Sequence, residues 1–105
     1  MTWRCALAMG LIAWSMRSYA HFPTLDCQTI DVDAAEKLRC VAGFSDGSAP
    51  GEVELQVFTY DEELIEVVVT DAEGEAIMAM PSGEFFIVFD ANHETPAEFD
   101  YAELE

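Results

Sequence analysis

The chain has 105 residues, with 21 Asp and Glu against 4 Lys and Arg and a formal net charge of −17. So acidic a chain excludes a nucleic-acid binder, because a phosphate backbone needs basic partners, and it excludes attraction to anionic lipid surfaces. The length allows one small domain with modest core burial per residue.

Residues 1–20 read as a secretory signal peptide. Arg4 supplies the positive start, and Cys5 to Trp14 is a nearly unbroken apolar run, too short to cross a bilayer as a helix. Ser18-Tyr19-Ala20 is a small-x-small cleavage site. Cleavage after Ala20 would make residues 21–105 a single exported domain that begins at His21. Arg4 and Arg17 would leave with the signal, so Lys37 and Arg39 would face all 21 acidic residues, a formal −19. Such a charge gathers cations around the protein. Cys5 would leave as well, and Cys27 and Cys40 would remain. An even pair in an exported chain points to a disulfide; a pair of thiolate metal ligands is the other reading. The expected location is the periplasm or the exterior. No later apolar stretch is long enough to span a membrane, so no insertion is expected after cleavage.

From residue 27 onward the pattern is β. Cys27 to Asp33 alternates loosely, and Ala34-Ala35-Glu36 suits a turn or a single helical turn. Lys37 to Phe44 is a predicted strand, ended by the dense turn signal of residues 45–51. Glu52 to Thr59 alternates, with Val53, Leu55 and Val57 on one face and Glu54 and Gln56 on the other. Leu64 to Thr70 is rich in β-branched residues and is expected to be a buried strand. Asp71 to Gly74 is a turn, and Ala76 to Met80 is a short strand stopped by Pro81. Glu84 to Asp90, with three Phe, an Ile and a Val, is expected to be central. Ala97 to Leu104 is expected to be a last, acidic strand. About seven short strands at regular spacing, with no long helix, imply an all-β fold: a small antiparallel β-sandwich of immunoglobulin-like or transthyretin-like kind.

Phe44-Ser45-Asp46-Gly47, then Thr70-Asp71-Ala72-Glu73-Gly74-Glu75, Met80-Pro81, Phe86 to Ala91 and His93 follow in a familiar order. The chain resembles the small periplasmic accessory proteins of nickel and cobalt energy-coupling transporters, over residues 37–105 and at His21. The resemblance implies a carboxypeptidase-regulatory, transthyretin-like sandwich, with His21 and His93 as metal ligands. This chain departs from the family at two positions: Asn92 replaces a glycine before the late histidine, and Glu94 replaces a basic residue after it.

The residues alone point the same way. An N-terminal His21 would offer an α-amine and an imidazole, both able to shed protons near neutral pH, and so a chelate for copper or nickel. His93 is the other histidine beyond residue 20, on a loop after a strand. Three nitrogens suit the tetragonal preference of Cu(II), and Ni(II) accepts a similar set. Asp26, Asp90 and Glu94 are further candidate ligands or carboxylates that orient an imidazole. Met78 and Met80 share a strand face and suit either Cu(I) or, more simply, core packing. The acidic clusters at 61–63 and 71–75 lack the spaced calcium loop. No catalytic set is evident, so the expectation is a metal-binding protein and not an enzyme. It would bind or deliver a Cu or Ni ion, with a membrane metal transporter or a metalloenzyme as partner. The alternative is a metal-free immunoglobulin-like interaction module of the cell envelope, whose strand edges bind another chain.

Overall fold

The computed structural model describes residues 21–92 and 95–104. The expected signal peptide and the expected site residues His93 and Glu94 lie outside the described residues. The described chain forms seven strands: β1 (Pro23–Val32), β2 (Ala35–Phe44), β3 (Glu54–Thr59), β4 (Leu64–Val69), β5 (Glu75–Ala79), β6 (Phe85–Phe89) and β7 (Ala97–Asp100). A single 3-10 turn, Tyr101–Leu104, follows. The strands make two antiparallel sheets, one ordered β1-β2-β5 and the other β4-β3-β6-β7. The all-β sandwich read from the sequence is therefore what the chain adopts.

The alternating pattern builds the core. Leu38, Cys40 and Ala42 of β2 face Leu55 and Val57 of β3 and Phe85, Ile87 and Phe89 of β6, all buried. Removing the Leu, Val, Ile and Phe side chains among them from water stabilises the fold by roughly 1.5–3 kcal/mol each. Met78 is buried in the same core and Met80 packs against it, so the methionine pair is core packing. β1 lies across β6 and β7, and β5 reaches toward β4, which fixes how one sheet covers the other.

β1 and β2 form a long hairpin whose register runs from Val32–Ala35 to Pro23–Phe44. Its turn is Asp33-Ala34, with φ of 52° and 67°. Two central residues at positive φ match the right-handed twist of the flanking strands. The turn thus falls one residue before the expected 34–36, and no helical turn forms. Cys27 and Cys40 are direct cross-strand partners and form a disulfide, so they are not thiolate ligands. A bond of this kind belongs to an oxidising, non-cytoplasmic compartment. No helix among the described residues is long and apolar enough to cross a membrane.

Two further expectations are corrected. β4 is not buried: it is the edge strand of its sheet, and Leu64, Ile65, Val67 and Val69 are all exposed. Only Val68 of this strand packs against the core. The last segment is not one strand to residue 104, because β7 stops at Asp100. Asp100 accepts a hydrogen bond from the Ala102 amide at 2.9 Å, and Glu103 accepts one from the Asp100 amide at 2.9 Å. These reciprocal bonds cap the start of a helical turn and compete successfully with strand continuation.

The β4–β5 connection is held from both sides. Asp71 Oδ1 accepts from the amides of Glu73 and Glu75 at 2.9 and 3.0 Å. Thr70, a buried polar residue, accepts from the Val53 amide at 3.0 Å, and its hydroxyl lies within donating distance of the Gly51 carbonyl. That hydroxyl ties the start of β3 to the end of β4.

Candidate functional site

At one end of the sandwich His21 lies beside the turn that follows β2. Pro23 pairs with Phe44, so the segment before β1 runs out beside the end of β2. Two hydrogen bonds hold it there: the Phe22 amide donates to Ser45 Oγ at 3.0 Å, and the Ser45 amide donates to the Phe22 carbonyl at 2.8 Å. The His21 ring stacks on Phe44, with centroids 4.6 Å apart and planes 21° from parallel. Its Nε2 lies 3.6 Å from Asp46 Oδ2. His21 is exposed, so its ring is oriented yet open to solvent.

Asp46 is itself fixed by the turn after β2. It accepts from the Ser48 hydroxyl at 2.6 Å and the Ser48 amide at 2.9 Å. These two bonds, foremost the hydroxyl's, hold the Asp46 carboxyl below the usual carboxylate range, and the nearby His21 ring adds to the effect.

The end of β6 lies at the same end of the sandwich. Phe44 packs on Phe89 with ring centroids 6.0 Å apart, and Phe89 is the last residue of β6. The connection that carries His93 and Glu94 thus leaves the sheet on the His21 side. Asp90 is exposed and accepts from the Asn92 amide at 2.8 Å, which bends the chain at Asn92, φ 76°. Asn92 tolerates this left-handed conformation better than most residues. Asp90 and Asn92 also border an open cleft of 360 Å³ with Val53, Glu54 and Gln56.

Among the described residues, no three His, Cys, Asp or Glu side chains stand close enough to hold a metal. Asp26 sits within β1, paired with Val41, and not at the β1 terminus where His21 lies. The carboxylate that does meet His21 is Asp46, which the sequence presents only as part of a turn. The Asp-x-Ser spacing signals its local bonding, but its nearness to His21 depends on the β1–β2 register. Comparison of the chain with protein-family models, curated proteins and solved structures finds no match.

Proposed function

We propose that this is an exported, periplasmic metal-handling protein that binds Cu(II) or Ni(II) at one end of the sandwich through His21 and His93. The observation that carries this reading is the setting of His21. Its ring is stacked on Phe44 and its Nε2 is turned to Asp46, at the end of the fold from which the His93 connection departs. An imidazole that turns Nε2 toward a carboxylate leaves Nδ1 free. Nδ1 is also the ring nitrogen nearest its own backbone, and so the one able to chelate together with a freed α-amine. A carboxylate behind a metal-binding imidazole fixes its tautomer and raises its basicity. Asp46, 3.6 Å from Nε2, would take that role, and His93 would supply a further nitrogen. Late transition ions of tetragonal preference suit such a set.

The strong negative charge raises the local concentration of cations, and the chelate selects among them. His21 is exposed at one end of the small domain, which suits transfer of the ion to a transporter or metalloenzyme. The test is a calorimetric titration of the exported form with Cu(II) and with Ni(II), repeated with one alanine inserted before His21. Tight one-to-one binding that collapses on insertion is expected, since the α-amine moves away from the ring. Equal affinity for both forms would overturn the reading.

A further inference from the structure

We propose that the outer face of the four-stranded sheet is a docking surface for a cationic, extended segment of another protein. This inference is independent of the proposed metal site around His21.

The register places Val67, Gln56, Val88 and Glu98 in one cross-strand row. Phe58, Phe86 and Asp100 form the next row, and the two Phe rings stack with centroids 5.2 Å apart. All of these alternate with the buried Leu55, Val57, Phe85, Ile87 and Phe99, so the row residues face away from the core. An open groove of 490 Å³ runs over the stacked pair, bounded by Gln56, Val88, Glu62 and Glu98. Val67 and Val69, 44% and 60% exposed, extend the apolar surface to the edge strand. An apolar face of this kind rimmed by polar groups marks an interaction surface.

Charge identifies the occupant. Lys37 and Arg39 are the basic residues of the described chain outside the histidines, and both lie on β2 in the other sheet. Arg39 is also paired with Glu75. The strands of the four-stranded sheet carry Glu54, Glu66, Glu98 and Asp100 with no cation among them. A second copy would bring like charges together, which is costly at a docked interface. A segment that alternates Lys or Arg with aliphatic residues complements the face: its alkyl stems cover the valines, and its cations meet the Phe faces and the carboxylates.

The contact lies on the face and not along the free edge of β4. Glu66 is register partner to the buried Val57, so it lies on the core-side row, and the β3–β4 ladder shifts between Val57 and Phe58. An inward-pointing charge and a bulge are both devices that discourage a further strand from joining an edge.

The test is a titration of the isotope-labelled protein, with a metal chelator present, by a short peptide of alternating Val and Lys. Amide shifts confined to the four-stranded sheet and the β3–β4 turn are expected. The dissociation constant should rise about tenfold in Phe58→Thr/Phe86→Thr and about fivefold or more in Glu62→Gln/Glu98→Gln. The Glu variant removes no packed group, so it decides the matter should the Phe variant lose its dispersed spectrum. Failure of the peptide to bind, shifts on β1-β2-β5, or equal affinity in the Glu variant would each overturn the proposal. So would a dimer of the protein alone that Phe58→Thr/Phe86→Thr abolishes, since the face would then belong to a second copy.

Discussion

Gly47 and Gly74 share one backbone conformation, with φ of 90° and 86°, in different surroundings. A Cβ at Gly47 would meet nothing within 4 Å. A Cβ at Gly74 would stand 2.2 Å from the Ala42 carbonyl oxygen and 2.9 Å from Pro50 Cδ. Gly47→Ala therefore incurs only the left-handed backbone cost of about 1–2 kcal/mol, partly offset by roughly 0.4–1 kcal/mol from the stiffer unfolded chain. The net effect should be about 1 kcal/mol. Gly74→Ala adds a clash with backbone, which side-chain rotation cannot relieve; overpacking of this kind costs about 1–3 kcal/mol. Relieving the clash also strains the 2.8 Å bond from the Ala42 amide to the Gly74 carbonyl, and a buried amide left unpaired costs about 1–3 kcal/mol. The expected total is about 3–7 kcal/mol, a large share of the roughly 5–15 kcal/mol that holds a domain folded. Guanidinium unfolding followed by far-UV circular dichroism measures both variants. A difference of about 2 kcal/mol or more between them is expected. Equal losses would refute the reasoning, because they would leave backbone conformation as the whole cost.

Three further outcomes follow from the packing and hydrogen bonds. The Cys27–Cys40 disulfide spans a sequence separation of 13, so Cys27→Ala/Cys40→Ala should lose about 3 kcal/mol of loop-closure stabilisation and lower the Tm by about 15 °C; a fall of only a few degrees would contradict it. Thr70→Val keeps the shape but leaves the Val53 amide without its side-chain acceptor, and should cost about 1–3 kcal/mol by denaturant melt. The hydrogen bond from Tyr60 to Asp100 pushes the phenol up to about 12 and holds the carboxyl below its usual range. A raised phenol stabilises the fold fully below the ordinary tyrosine value, and that contribution is lost as pH rises through about 12. In Asp100→Asn the Tyr60 ring signals, followed by NMR against pH, should titrate closer to the ordinary value; an unchanged midpoint would exclude the bond as the cause.

The sequence reveals most where structure is local. Alternation in 53–57 gave the inward row of β3, and the cysteine pair gave the bridge, because neighbouring residues and chemistry suffice for both; the uniformly apolar 85–89 gave a strand but not which of its residues face inward. β4 misleads because Val-rich composition describes a strand and not its place in the sheet. Whether Val67 and Val69 are covered depends on strand order, which is set by pairings far along the chain. The end of β7 was legible in principle, since Asp100 and Glu103 have the capping-box spacing, but it lay within an alternating acidic run that also suits an edge strand. At the site, His21 stood out by residue type and position. Asp46 did not, because the whole β1–β2 hairpin separates it from His21 in sequence and only the register brings the two within 3.6 Å.

The most direct test of the metal proposal is a Cu(II) and Ni(II) titration of the exported protein beside His93→Ala and Asp46→Asn, with the mature N-terminus read by intact mass. The proposal predicts a chain beginning at His21 with one tight site, severe loss of affinity in His93→Ala, and a loss of about tenfold or more in Asp46→Asn, where the carboxylate behind the imidazole is removed. A chain that begins elsewhere, or one whose affinity is the same in all three proteins, would contradict it.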